Sequence, residues 1–413
     1  MTGILSGMRV VEGSAFVAVP LAGMTLAQMG ADVIRFDRIE GGLDSGRWPL
    51  APSGNSLFWA GLNKGKRSLA VDMKTPEGRE IITRTITAPG PDAGLFLTNL
   101  RVRGWMDHET LSQHRPDLVM VSLLGDRHGR PQVDYTVNPA LGIPDITGPE
   151  DHDAPVANAL PAWDLMAGHL CVSSLLAAER HRLRTGEGQD VELALKDVAA
   201  ATLGHLGMIG DAVLNTEERG KAGNSLYGAY GQDFLCADGR RVMVIGLTGR
   251  QWGGLLKITG TKEAIEALGR RTGRNLRDEG VRWEMRHEIS ALLAPWFAQR
   301  TVDSFRADFD AAGLTWSEFR TVKEAVAQDP DLSPENPMFT LLNQPGLGRF
   351  PVPGHAAQFS ATERAAPKAA PVLGANTEEI LSEVTGCDDT EIARLFDQGI
   401  VQGPFKMAHG SAA

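Results

Sequence analysis

Residues 8–37 read MRVVEGSAFVAVPLAGMTLAQMGADVIRFD, and in them two short apolar runs flank a helical pattern. The first apolar run is Met8–Glu12 and the second is Asp32–Asp37. Between them, Pro20 suits the first turn of a helix and Gly30 suits its end. This order predicts a β-strand, an α-helix and a second, parallel β-strand joined by a right-handed crossover.

The same alternation of strands and helices continues to about residue 208. Thr75-Pro76-Glu77 is typical of a helix start with Thr75 as the cap, and a long apolar helix is predicted over 162–181. Spacing of this kind predicts an α/β fold with a Rossmann-like parallel sheet. The further predicted strands are Ser68–Met73, Leu95–Thr98, Asp117–Leu124 and Gln189–Leu195.

The composition changes near residues 215–225, which predicts a domain boundary. Asp238-Gly239 separates two strand-like runs, a pattern typical of a hairpin. Residues 330–372 are rich in proline and lack periodicity, which indicates a crossing segment. Helical patterns lie at 249–258, 282–299, 301–312, 376–385 and 388–397.

The charge balance argues against several classes of partner. The 413 residues carry 41 Lys and Arg against 51 Asp and Glu, a net charge of −10. Nucleic-acid and membrane-surface binders carry a broad basic face, so we expect neither partner. No apolar run approaches the roughly 18–20 residues that span a bilayer. The three cysteines form no CxxC pair, which favours a reducing compartment, and we expect a cytoplasmic protein.

The common cofactor motifs are missing from the sequence. The first βα loop, residues 13–18, has one glycine where a dinucleotide fold has GxGxxG, which disfavours a dehydrogenase. The ten histidines form no HExxH or other spaced set of metal ligands, so no metal is expected. No GxSxG elbow or GxxxxGK[ST] loop is present either.

Several cations lie next to the predicted strands. In open α/β sheets, ligands bind beyond the carboxyl ends of the strands. Cations that converge there on an acidic chain suit a ligand with several phosphates, although solvated surface charges are the alternative. The residues at or just after strand ends are Arg35, Arg38, Arg101 and Arg103, and a compact basic loop that enters a strand adds Lys64, Lys66 and Arg67.

Asp164 stands at the beginning of the long apolar helix, after Leu160-Pro161-Ala162-Trp163. A carboxylate in a first helical turn commonly caps the helix or complements its dipole. The same surroundings also suit a covalent nucleophile that is kept ionised and shielded from water. The local sequence does not decide between these roles.

Several segments together resemble the family III coenzyme A (CoA) transferases, which include formyl-CoA transferase and α-methylacyl-CoA racemase. The most specific match is Asn63–Arg67 with Asp72–Gly78 behind it. Asp164 falls where that family keeps its nucleophilic aspartate. Further matches, in the family's order, are 5–11, 29–34, Asn99, 175–180, 185–189 and 373–381.

The resemblance implies a Rossmann-like large domain and a smaller α+β domain, in a homodimer of interlocked chains. The expected boundaries are 1–215 for the N-terminal part of the large domain and 225–325 for the small domain. Residues 330–413 are expected to cross and return to the large domain. The resemblance also implies that CoA enters as part of an acyl-CoA substrate and that no cofactor is tightly bound.

The resemblance further implies the roles of individual residues. Asp164 is the expected nucleophile, and the other residues are expected to bind CoA or to shield the acyl group from water. The expected CoA contacts are Arg38, Lys66, Arg67, Asn99 and Arg103. The expected pocket residues are Ala15, Phe16, Val17, Phe58, Trp59 and Tyr135.

A narrower likeness, in 11–18, 58–67, 134–139, 160–164 and 226–231, indicates the reaction. It implies intramolecular transfer of CoA between the two carboxyl groups of a branched unsaturated C4 dicarboxylate. The alternatives are an intermolecular acyl-CoA:carboxylate CoA transferase that uses the same Asp164, and an acyl-CoA racemase. A nicotinamide-dependent oxidoreductase and a non-catalytic CoA-binding relative are the alternatives from other classes.

Overall fold

A computed structural model of the chain describes residues 3–101 and 104–404. In these residues the strands are β1 (Arg9–Gly13), β2 (Asp32–Asp37), β3 (Arg67–Val71), β4 (Leu95–Thr98), β5 (Val119–Leu124), β6 (Gln189–Ala194), β7 (Gly231–Leu235), β8 (Arg241–Ile245), β9 (Thr315–Glu318), β10 (Phe339–Gln344), β11 (Gly348–Pro353) and β12 (Val401–Gln402). The first α-helices are α1 (Ala18–Gln28), α2 (Leu57–Leu62), α3 (Pro76–Ile86), α4 (His108–His114), α5 (Asp134–Ala140), α6 (Ala162–Thr185), α7 (Leu195–His205) and α8 (Met208–Leu214). They are followed by α9 (Gly249–Thr259), α10 (Lys262–Thr272), α11 (Glu279–Glu284), α12 (Arg286–Ala298), α13 (Val302–Ala311), α14 (Val322–Gln328), α15 (Thr377–Glu383) and α16 (Asp389–Asp397).

The main sheet has the order β12-β3-β2-β1-β4-β5-β6. Strands β1 to β6 run parallel, and β12 pairs antiparallel with β3 at one edge. The inner strands are buried on both faces, as their continuous apolar runs require. The predicted α/β fold with a Rossmann-like parallel sheet is therefore confirmed. The strand order reverses between β1 and β4, which is where ligands bind in such sheets.

The boundaries of helices α3 and α6 can be explained by the residues at their ends. The Thr75 hydroxyl accepts the N–H of Gly78 at 3.0 Å and so caps α3, as predicted. Helix α6 begins at Ala162, as predicted, but continues to Thr185. It stops there because Gly186 adopts a left-handed backbone with φ of +78°, a conformation that favours glycine.

The proline-rich crossing segment contains structure that its sequence did not indicate. Strands β10 and β11 form an antiparallel hairpin between Phe339 and Pro353. Pro351 and Pro353 lie on β11 and lack an N–H donor, and a two-stranded ribbon has unpaired edges that tolerate this loss. The prolines therefore conceal the strand signal without preventing the hairpin.

The described residues group into two compact units. One unit contains residues up to 141, 159–209 and residues from 329 onward, so that both ends of the chain contribute to it. The other contains residues 142–158 and 210–328. The sequence-based boundaries place 142–158 in the large domain, whereas these residues group with the second unit. The second unit holds the antiparallel sheet β7-β8-β9 and an aromatic core around Phe297 and Phe305.

Each described helix is either too short or too polar to traverse a lipid bilayer.

A buried ion network lies where β1, β2 and β3 approach one another. Lys66 Nζ lies 2.8 Å from each carboxylate oxygen of Glu12, and both side chains are fully buried. Arg35, also buried, pairs with Asp37 and with Asp44, each at 2.9 Å. Charges removed from water require such partners, because an unpaired buried charge is strongly unfavourable. The network therefore fixes the loops that follow the first two strands.

Replacing Lys66 with methionine is expected to destabilise the protein strongly, because it leaves the buried Glu12 carboxylate without its partner. We expect the free energy of unfolding, measured by urea denaturation at neutral pH, to fall by about 3–5 kcal/mol. The double variant Glu12→Gln, Lys66→Met carries no unpaired charge and should recover more than half of that loss. As a control, Arg394→Met breaks an exposed pair with Glu77 and should lose less than about 1 kcal/mol. Equal losses in the single and double variants would contradict this account.

Candidate active site

The site is built around the start of α6, which packs along α1. Gly168 permits this close approach, since a Cβ atom there would lie 2.7 Å from the carbonyl oxygen of Ala18. The packing brings the first turn of α6 to the loop that follows β1. Asp164 lies in that first turn and is partly buried.

The backbone at the start of α6 is capped from a different helix. Pro161 precedes the helix and has no side-chain acceptor. Asp134 of α5 supplies it instead: its Oδ2 accepts the N–H of Trp163 at 2.8 Å and that of Asp164 at 3.2 Å. Asp164 therefore does not cap its own helix, and in the described part of the chain its carboxylate accepts no hydrogen bond. The capping interpretation of Asp164 is thus wrong, and its carboxylate is free for another role.

The free carboxylate is also unusually basic. Burial and the nearby charge of Asp134 raise the pKa of Asp164 to about 6, and Arg47 partly opposes this rise. A higher pKa makes a carboxylate a better nucleophile while it stays mostly ionised at neutral pH. Burial also raises the pKa of Asp134, and the N–H groups of Asp164 and Trp163 oppose it.

An aromatic and cationic wall lies near this carboxylate. Phe16, in the loop after β1, has φ of +69°, a strained conformation for a non-glycine residue. Its N–H donates to Asp44 Oδ2 at 3.1 Å, which holds the strained backbone in place. The Arg47 guanidinium carbon lies 5.4 Å from the centre of the Phe16 ring and 5.2 Å from that of Phe58. These distances are those of cation–π contacts.

The structure brings some of the predicted pocket residues together and separates one. Phe16 and Phe58 share contact with Arg47, and Ala15 and Val17 are buried beside Phe16. Tyr135 directly follows the capping Asp134 and is 55% exposed. Trp59 instead lines a different cavity of about 420 Å³, whose lining does not include Asp164.

Three of the predicted CoA contacts have other partners in this structure. Lys66 lies inside the buried ion network and has no exposed surface on its side chain. Arg67 forms ion pairs with carboxylates of the same chain, among them Asp32 at 2.6 Å and Glu379 at 2.8 Å. The Asn99 amide accepts the N–H of Ala15 at 2.9 Å and donates to its carbonyl at 2.8 Å. All three side chains thus hold parts of the fold together, and their surroundings do not indicate direct contact with CoA.

The other two predicted CoA contacts are Arg38 and Arg103. Arg38 lines a cavity of about 300 Å³ beyond the carboxyl ends of β2 and β3. Lys74 and Arg79, which sequence analysis did not assign to the site, line the same cavity, and all three side chains are exposed. Arg103 lies outside the described residues. A cleft with several cations at the strand ends suits a phosphorylated ligand.

Sequence analysis also missed Arg47 and Asp134. Arg47 follows a glycine in an irregular loop, and nothing in its local pattern indicates a function. Asp134 could have been inferred, because a helix that begins after Pro161 has unsatisfied N–H groups and needs an acceptor from elsewhere.

A parallel α/β sheet with a cationic cleft beyond its strand ends suits a phosphorylated substrate, and a carboxylate that accepts no hydrogen bond from the described residues suits a covalent nucleophile. Together they fit an acyl-transfer enzyme. The chain belongs to CoA-transferase family III, whose family model matches residues 5–377. This confirms the resemblance seen in the sequence and makes the protein a family III CoA transferase.

Individual relatives agree with this assignment. The chain is 55% identical to 2-methylfumaryl-CoA isomerase of Chloroflexus aurantiacus over 409 residues, covering 99% of this chain and 100% of that protein. It is 26% identical to succinyl-CoA:glutarate CoA-transferase of Mus musculus, covering 96% and 90%. Among solved structures, a CAIB/BAIF family protein from Brucella suis matches with a TM-score of 0.76 and 25% identity, covering 93% and 100%.

Proposed function

We propose that this enzyme moves CoA between the C1 and C4 carboxyl groups of 2-methylfumaryl-CoA (mesaconyl-CoA), with Asp164 as the covalent nucleophile. The observation that carries the proposal is the Asp164 carboxylate, which accepts no hydrogen bond from the described residues and stands at a capped helix start. The full-length identity to the Chloroflexus aurantiacus isomerase supports both the substrate and the intramolecular course.

The first half of the reaction transfers CoA to the enzyme. A carboxylate oxygen of Asp164 attacks the C1 thioester carbonyl, and the carbon–sulfur bond breaks to give a mixed anhydride and the CoA thiolate. The thiolate then attacks the aspartyl carbonyl of the anhydride. This step leaves an aspartyl–CoA thioester and the free diacid.

The second half returns CoA to the other end of the same diacid. The C4 carboxylate attacks the aspartyl thioester, which gives a second mixed anhydride and again releases the thiolate. Attack of the thiolate on the C4 carbonyl forms the product and restores the Asp164 carboxylate. No water, oxidant or metal enters these steps.

The proposed course needs a dry site that retains the diacid. Water would hydrolyse both the anhydride and the enzyme thioester. Retention makes the second half effectively unimolecular, which can supply a large effective concentration. Ala15, Val17, Phe16 and Phe58 are our candidates for the apolar shield. Tyr135 and Trp59 remain proposed pocket residues without a described contact to Asp164.

The CoA nucleotide is assigned to the cleft that Arg38, Lys74 and Arg79 line. In the part of the chain that the structure describes, these three exposed cations form no ion pair, so they can meet phosphates, although Glu40 and Asp72 also line the cavity. Lys66 and Arg67 are instead already paired within the protein. We also propose that Arg103 contacts CoA, as the family resemblance implies. CoA would arrive and leave as part of the acyl substrate, and no other cofactor is proposed.

The distal carboxylate of the acyl group is assigned to Arg47. Its guanidinium donates no hydrogen bond to any side chain or carbonyl that the structure describes, and its charge acts on Asp164. Cation–π contacts with Phe16 and Phe58 orient the planar group while leaving its N–H donors available. An arginine fork matches a carboxylate well.

We also propose a cytoplasmic homodimer. Exposed apolar side chains on α6 and just after α7 support an interface with a second copy: Met166 is 42% exposed, Leu170 40% and Leu206 66%. Met166 also contacts Thr202 across these two helices, so the apolar groups belong to one surface.

Asp164→Asn should abolish formation of the enzyme–CoA thioester. Wild-type enzyme mixed with mesaconyl-C1-CoA should gain the mass of CoA less one water in intact-protein mass spectrometry, because one oxygen of Asp164 leaves with the diacid. NMR should show the C4 isomer without any added acceptor. Because only the ionised carboxylate attacks, the rate should fall about tenfold per pH unit below about pH 6. Asp145→Asn, at an exposed carboxylate, is the control and should behave like wild type.

Labelled free mesaconate distinguishes the intramolecular reaction from transfer to an external acid. Retention of the diacid predicts product without label. Incorporation of label at the turnover rate would instead favour the intermolecular transferase, the reaction that the name of the Mus musculus relative describes.

Lys74→Ala should weaken binding of CoA about tenfold, because a charge-assisted hydrogen bond to a phosphate is lost. Isothermal titration with 3′,5′-ADP, which has two of the three CoA phosphates and lacks the pantetheine arm, should show the same factor. Lys262→Ala, at an exposed lysine of the second unit, is the control. Unchanged affinity of Lys74→Ala for both ligands would show that the nucleotide binds elsewhere.

Arg47→Met should slow thioester formation from mesaconyl-CoA more than about tenfold, since the distal carboxylate loses its partner. Crotonyl-CoA has no distal carboxylate, so the same variant should slow its reaction about threefold at most. Rapid-quench kinetics with both substrates measures the difference. Equal slowing of both would assign Arg47 to Asp164 itself and remove the distal carboxylate from this position.

A further inference from the structure

Helix α5 holds the start of α6 through two side chains that lie one turn apart. Asp134 accepts the backbone N–H groups of Trp163 and Asp164, as described above. Asn138 accepts the indole N–H of Trp163 at 3.1 Å. Asp134 is 4% exposed and Asn138 is 3% exposed. The backbone and the ring of the residue before Asp164 are therefore both fixed by α5.

Two carboxylates thus share one helix start with unequal partners. The free N–H groups of a first turn are the natural hydrogen-bond donors to a carboxylate in that turn. Asp134 takes two of them, whereas the carboxylate of Asp164 receives none. In the described part of the chain, no cation pairs with Asp134, so its buried charge faces the helix start and Asp164.

We propose that Asp134 is a positioning residue that keeps the Asp164 carboxylate free of backbone donors and, through its own charge, poised for attack on a thioester. The inference rests on the proposed role of Asp164. It adds a second acidic residue, Asp134, which controls the hydrogen bonding and the electrostatic environment of the Asp164 carboxylate. Asp134 forms no bond to substrate in this scheme.

The charges that act on Asp164 are few. Asp134 of α5 raises the pKa of Asp164, and Arg47 of the loop after β2 lowers it. Helix α1 carries no ionisable side chain. Helix α7 carries Lys196, Asp197 and His205, which are not among the causes of the shift. Removal of the Asp134 charge therefore leaves Arg47 as the dominant neighbouring charge, and the carboxylate becomes more acidic.

Asp134→Asn is the sharpest test, because an amide oxygen still accepts the two N–H groups while the charge is gone. The rate of thioester formation, measured by mass spectrometry in single turnovers, falls toward low pH, and this acid limb of the pH–rate profile should move about one pH unit lower. Asp134→Glu keeps the charge and should keep the limb in place. Asn138→Ala loosens Trp163 without a change of charge, so it should lower the melting temperature and leave the limb where it is.

A second measurement does not depend on activity. At pH 8, Asp164→Asn should raise the melting temperature, since it removes a carboxylate whose pKa is higher in the folded protein than in the unfolded chain. In the Asp134→Asn background, Asp164→Asn should raise the melting temperature by about half as much or less, because the repulsion between the two carboxylates is already absent. At pH 5 the two gains should be similar.

The outcomes separate the inference from the function on which it rests. An unshifted acid limb in Asp134→Asn together with equal melting gains at pH 8 would overturn the role of Asp134, whatever the reaction is. Absence of any thioester in wild-type enzyme would overturn the role of Asp164, while the melting cycle would still report the coupling of the two carboxylates.

Discussion

The capping of α6 by a residue outside it is the interaction on which the site depends. A helix that starts at a proline leaves its first N–H groups without a local side-chain acceptor. Had Asp164 supplied that acceptor, its carboxylate would have been stabilised as an anion and turned back onto its own helix. Because Asp134 takes this role, Asp164 keeps the field of the helix start but not its hydrogen bonds. These two hydrogen bonds thereby separate capping from reactivity, the two roles that a first-turn carboxylate can have.

The buried ion network serves the opposite wall of the same site. Asp44 joins the two parts, since one of its oxygens accepts from Arg35 at 2.9 Å and the other accepts the N–H of Phe16. The chain then runs only three residues to Arg47, whose guanidinium lies against the Phe16 ring. Buried ion pairs contribute little net stability compared with apolar residues of similar volume. Their value here is geometric, because they hold the strained backbone at Phe16 and the loop that carries Arg47 in one place.

The elements predicted from sequence are those whose signal is local. Asp32–Asp37 and Leu95–Thr98 are strands with the predicted bounds, because each is a short buried run with a polar end. The position of Asp164 at the start of α6 also follows from local pattern. The choice of partners does not. Lys66 and Arg38 belong to the same predicted basic cluster, yet one is sealed inside the fold and the other faces a cleft, since long-range packing decides which cation loses its water.

The proposed reaction needs a cation beside the nucleophile for substrate and product alike, and the position of Arg47 can meet this need. Substrate and product carry the same two functional groups, a thioester and a carboxylate, in exchanged positions. In either state, one end of the acyl group must reach Asp164 while the other end is a free carboxylate that needs a cation. A single arginine beside the nucleophile therefore serves the forward and the reverse half alike, provided that the diacid turns end for end between them. The aromatic rings that hold Arg47 are apolar and donate no hydrogen bonds, so they confine the diacid without binding either end, and such a wall permits the turn.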